Sequence, residues 1–116
     1  MLIKTPDDVP AMPVEMEGAR DVTVRVLFGP ADNAPTFALR RFDVAPGGNT
    51  PYHHHPYEHE VVVLSGDVVA VWPDGEEPLR PGQVILVMPD ELHGFRNRSK
   101  TQPASFLCLV PVQYQK

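Results

Sequence analysis

Five histidines carry the chemistry of this sequence, and four of them crowd into one short run. His53, His54, His55 and His59 lie within P-Y-H-H-H-P-Y-E-H-E-V-V-V-L-S-G at residues 51–66, and His93 stands alone downstream. A neutral imidazole binds a metal ion near neutral pH without first losing a proton. The run is therefore expected to supply most of a metal site, with His93 completing it.

The spacing H-x-H-x3-H constrains which rings can converge. Residues two apart in a strand face the same way, with Cα atoms roughly 6.5 Å apart. His53 and His55 can thus aim at one ion, while His54 points to the opposite face. His59 shares the parity of His55, but Pro56-Tyr57 is expected to bend the chain between them, and parity alone leaves its direction open. The single cysteine, Cys108, excludes both an internal disulfide and a cysteine-based zinc finger. Glu58 and Glu60 flank His59 and read as outer groups rather than ligands. Arg40 shares a strand face with Phe42 and Val44; facing inward it would be a cation able to clamp a carboxylate, and facing outward a surface ion pair. Tyr52, Tyr57, Trp72 and Phe95 are pocket walls or ordinary packing. Neither a Ser-His-Asp arrangement nor a phosphate-binding glycine loop is present.

The elements that must position these residues are short strands. Fourteen prolines and eight glycines interrupt the chain every few residues, which leaves little room for long helices. Alternating or continuous apolar runs between turn signals predict strands at 22–28, 36–44, 53–55, 58–64, 68–72, 84–88, 93–97 and 104–112, with turns at 46–49, 65–67, 73–76 and 81–82. An all-β sandwich or barrel follows. Residues 1–20 read as an N-terminal arm or edge strand, and residues 21–116 as one domain. The strands at 61–64, 84–88 and 106–110 are apolar on both faces, more than a one-sided sheet requires. A second copy of the chain is expected to cover the outer face, with residues 1–20 at that homodimer interface; the alternative is that the arm covers it in cis.

Composition excludes some partners. A net charge of −5 without a basic cluster argues against nucleic acid and anionic membrane. No apolar run approaches a membrane span. Asp7 and Asp8 interrupt any leader-like stretch, so the expected location is the cytoplasm.

Two motifs carry a family resemblance. Gly47 through His53, His55, His59 and Gly66 resembles the first cupin motif, G-x5-H-x-H-x3/4-E-x6-G, with His59 where most cupins have glutamate. Gly82 through Met88, Asp90, His93 and Asn97 is similar to the second, G-x5-P-x-G-x2-H-x3-N, with Met88 for the proline and Asp90 for the glycine. The chain most resembles small single-domain cupins with a four-histidine site. The resemblance implies a jelly-roll barrel and a ligand set of His53, His55, His59 and His93. It implies a divalent ion, manganese first, with iron, nickel, copper or zinc as alternatives. It also turns Phe106 and Cys108 of the last strand toward the pocket, where Cys108 touches substrate or serves as a small buried hydrophobe. An all-imidazole set would leave the ion its full +2 charge.

Two functions are then expected. The first is a metal-dependent oxidoreductase of dioxygenase type acting on a small organic substrate, with metal-assisted isomerase or lyase chemistry as a variant. The second is a non-catalytic module that binds a small ligand or holds the metal as a structural element. Arg40, Cys108 and Phe106 are the residues expected to meet the substrate.

Overall fold

The computed structural model describes residues 1–115. Alternating apolar residues and tight turns build nine strands: β1 (Met12–Pro13), β2 (Arg20–Phe28), β3 (Phe37–Asn49), β4 (His59–Ser65), β5 (Val68–Trp72), β6 (Gly75–Pro78), β7 (Val84–Val87), β8 (Gly94–Asn97) and β9 (Ala104–Pro111). The helical segments among the described residues are three 3-10 turns, Pro6–Asp8, Pro30–Asp32 and Val112–Tyr114. Among the described residues, no helix is long and apolar enough to cross a membrane.

The strands form one curled antiparallel sheet in the order β6-β5-β8-β3-β9-β4-β7, with β2 added to β3 and β1 to β2. This is the all-β architecture the strand pattern predicts and the jelly-roll that the cupin resemblance implies. β3 is its joint. It pairs with β2, runs beside β9 from Phe37↔Pro111 to Val44↔Ala104, and meets β8 through Asn49↔Arg96. Val44, Val61, Val63, Val68 and Val69 are fully buried. Branched side chains suit a pleated surface, and each contributes about 1.5–3 kcal/mol on burial.

Three local departures from the sequence expectations stand out, at residues 46–49, 53–55 and 73–76. Residues 46–49 continue β3 rather than turning. Gly47 adopts φ 74°, and a Cβ on Gly48 would lie 2.6 Å from the Arg20 carbonyl oxygen. The two glycines thus let β2 and β3 approach closely through an irregular register between Arg20 and Val22. Residues 53–55 form no ladder strand; His53 makes a single bridge with His93. The turn at 73–76 shrinks to Pro73-Asp74, because Gly75 already pairs with Trp72 and opens β6. The arm holds to β2 and β3. Arg25 Nη1 donates to the carbonyls of Asp7 and Val9 at 3.1 and 2.8 Å, Arg41 Nη1 meets Asp7 at 2.9 Å, and Lys4 meets Asp32 at 2.8 Å. The arm leaves the outer face of β4 and β7 uncovered: Val84 is 75% exposed, Leu86 53% and Leu64 42%.

Candidate metal centre

β4 buries every second residue, His59, Val61 and Val63, and exposes Glu60, Val62 and Leu64. The inward direction of His59 is therefore set by its own strand. The sequence obscures this because Val62 and Leu64 are apolar too. His53, His55 and His93 arrive from loops, and backbone hydrogen bonds clip those loops together. His53 N–H donates to the His93 carbonyl at 3.0 Å, and His93 N–H returns the bond to His53 at 2.9 Å. Asp90 N–H donates to the His55 carbonyl at 2.7 Å. His54 is exposed, whereas His53 and His55 are half-buried.

The nitrogen donors of His53, His55 and His93 all lie within 4.8 Å of one another and could hold a metal ion. His59 adjoins this group: its Nε2 is 2.8 Å from Nε2 of His93, and its ring centroid is 4.9 Å from that of His55. Two ligands at right angles on one ion, each about 2.1 Å from it, would stand about 3 Å apart.

The donor set has the protonation state a cation needs. Burial, reinforced by the His93 imidazole, pushes His59 down to about 3 and His53 down to about 4. Burial also lowers His55 and His93. All four rings are thus neutral at pH 7. Nδ1–H of His55 donates to the Tyr57 carbonyl at 2.8 Å, and Nδ1–H of His93 to the Glu91 carbonyl at 2.6 Å. A carbonyl only accepts, so in both rings Nε2 carries the free lone pair.

Around these rings is a cavity of about 120 Å³, lined on its apolar side by Val14, Met16, Phe42, Phe95 and Phe106. Arg40 and Cys108 line it as well, so the face of β3 carrying Arg40 points inward. Arg40 Nη2 donates to Cys108 Sγ at 2.9 Å, and the guanidinium stands 4.9 Å from the Phe42 ring centroid. Phe42 stacks on Phe106 at 5.3 Å. Cys108 Sγ also lies 2.9 Å from His59 Nδ1, and burial pushes its thiol pKa up. Tyr57 stacks between His55 and Tyr114, and burial raises its phenol pKa. Among the described residues, no aspartate or glutamate lines this cavity.

His93 and Phe95 also border a second cavity of about 230 Å³, walled by Trp72, Leu79, Ile85 and Val87, with Glu77 and Glu91 among its lining residues. Trp72 is therefore a wall of this second space, and Tyr52 is exposed. Val14 and Met16 escape the sequence reading: nothing in a proline-rich arm marks residues that close a cavity.

Known proteins are similar to this chain in sequence and in fold. The sequence is 31% identical over 97 residues to 1-methylthio-D-xylulose 5-phosphate methylsulfurylase of Rhodospirillum rubrum, covering 84% of this chain and 60% of that protein. The chain thus spans about three fifths of that relative's length. Protein SchB of Streptomyces halstedii is 32% identical over 108 residues, covering 91% of this chain and 75% of that protein. The polyketide cyclase RemF from Streptomyces resistomycificus superposes with a TM-score of 0.90 at 38% identity, covering 97% of this chain and 80% of that one. Residues 40–110, which carry both histidine motifs, match the Cupin_2 family (cupin domain), and the chain belongs to that family.

Proposed function

We propose that this protein binds a divalent metal through His53, His55, His59 and His93 and catalyses a non-redox ring closure of a polyketide-like substrate. The observation that carries the reading is the pairing of neutral imidazoles with one guanidinium in a largely apolar cavity with no carboxylate among its described lining residues. The 38% identity to a polyketide cyclase over nearly the whole chain supports the substrate class. Manganese is the ion implied by the resemblance, whereas all-nitrogen ligation favours zinc, copper or nickel over manganese at equal availability.

A bound divalent ion would supply Lewis-acid polarisation of a carbonyl oxygen. The chain's own residues do the rest. Phe42, Phe95 and Phe106 exclude water and accept a flat, apolar ring. Arg40 has a buried Nε with no partner among the described residues and offers positive charge to a substrate oxygen that gains negative charge during ring closure. The proton lost from the attacking carbon passes to solvent water, the new C–C bond forms at a carbonyl carbon, and water returns a proton to that carbonyl's oxygen. Tyr57 stays a neutral phenol, and its stack on His55 holds that ring in place. The cavity of about 120 Å³ admits only the reacting end of an extended substrate.

The test is incubation of the metal-loaded protein with an aromatic poly-β-ketone under air and under nitrogen, followed by mass spectrometry. A cyclised product of unchanged mass, or lighter by one water, formed equally with and without dioxygen, supports the reading. A product that gains oxygen only in air replaces it with the dioxygenase reading. No turnover of any such substrate leaves the binding-module reading.

The exposed apolar strip of Val62, Leu64, Val84, Leu86 and Met88 supports a second copy of the chain as its occupant, giving a homodimer.

A further inference from the structure

We infer that Cys108 is the positioning residue that lets His59 exchange tautomers when a metal enters the centre, an inference that rests on the four-histidine reading above. His93 has committed its Nδ1 proton to the Glu91 carbonyl, so its Nε2 is bare, and His59 Nε2 faces it at 2.8 Å. Two bare nitrogens at that distance repel each other. Either a cation lies against both, or His59 Nε2 carries a proton and donates it to His93.

The two states demand opposite behaviour at the other end of the His59 ring. With the proton on Nε2, Nδ1 is a lone pair and needs a donor. With a metal on Nε2, the proton sits on Nδ1 and needs an acceptor. The group that Nδ1 meets is Cys108 Sγ, at 2.9 Å. A thiol can donate or accept. The carbonyls that hold His55 and His93 can only accept, and so lock those rings in one tautomer. The guanidinium of Arg40 can only donate. Its Nη2, 2.9 Å from the sulfur, occupies one sulfur lone pair in both states and leaves the S–H free to turn toward His59 or away. The exchange moves one proton from Nε2 to Nδ1 of the same ring, through water; the proton count is unchanged and nothing is oxidised.

Imidazole ¹⁵N–¹H NMR of the full chain, first stripped with a chelator and then loaded with zinc, reads which His59 nitrogen is protonated. The expected result is Nε2–H without metal and Nδ1–H with zinc. Cys108→Ser, which keeps a group that donates and accepts, retains the exchange and binds zinc within a few-fold of the parent. Cys108→Val, which does neither, lowers zinc affinity by about 10–100-fold, the usual effect of losing the partner of a metal-bound histidine. Circular dichroism confirms that both variants are folded. Unchanged zinc affinity in Cys108→Val, or Nδ1–H in both states of the parent, overturns the role. A parent chain that binds no zinc defeats the metal reading instead. The metal-free spectra then decide on Cys108: Nε2–H preference lost in Cys108→Val supports its role, and identical spectra refute it.

Discussion

The Nε2 atoms of His59 and His93 lie 2.8 Å apart, closer than two neutral imidazoles tolerate without a shared proton or cation. Substitution of either ring by alanine should abolish stoichiometric metal binding, measured by elemental analysis after dialysis. Loss of His53 or His55 should do the same. His54→Ala should bind metal like the parent, because its side chain is exposed. If His59→Ala alone keeps its metal, the centre is the group of His53, His55 and His93.

Acid should destabilise the metal-free protein through these rings. His53 and His59 have folded pKa values pushed by burial to about 4 and about 3, from an ordinary 6.5. Between these values the unfolded chain binds more protons than the folded one, so stability rises with pH. The contribution is complete above about pH 6.5, is lost as pH falls toward 3, and should appear as a falling denaturant midpoint across that window. A midpoint flat from pH 7 to 4 contradicts neutral buried rings.

Asp90 occupies a left-handed conformation at φ 64°, at the position where the second cupin motif has glycine. Aspartate tolerates this region better than a branched residue does. Asp90→Gly should therefore be neutral or slightly stabilising, whereas Asp90→Val should cost about 1–2 kcal/mol, both read from urea unfolding. The valine variant should also loosen the loop that Asp90 N–H ties to the His55 carbonyl, and so weaken metal binding.

The dimer reading makes a separable claim. Leu86 is 53% exposed, on the outer face of β7, away from the imidazoles. Leu86→Arg should convert a dimer to a monomer in analytical ultracentrifugation at micromolar concentration, with little change in the metal-site spectra. A parent chain that already sediments as a monomer rejects the interface.

The sequence reveals what is local. Short apolar runs bounded by turn residues mark seven of the strands, and parity separates exposed His54 from His53 and His55 although no ladder strand forms there. What depends on pairing is hidden. Cys108 meets both Arg40 and the His59 strand because β9 registers Arg40↔Cys108 on one side and Val61↔Cys108 on the other. No periodicity within β9 encodes those partners. Gly47-Gly48 reads as a turn because its local chemistry is that of a turn; only the approach of Arg20 makes it part of a strand. Asn97 fits the second motif, yet its work is invisible in the sequence: its buried side chain donates to Val44, Ala45 and Gln102 carbonyls and accepts from Ser99 N–H.

The reciprocal backbone bridge between His53 and His93 has a thermodynamic consequence for how the ion is acquired. In a small zinc module the ligand-bearing segments are brought together only by the metal, and binding energy is largely folding energy. Here two segments forty residues apart are already fastened by peptide groups, and one imidazole rides on a finished strand. Metal uptake at this centre would therefore draw little on chain entropy. An ion held there would be one that a completed fold could gain, lose or exchange, and the supply of metals would bear directly on which one it carried.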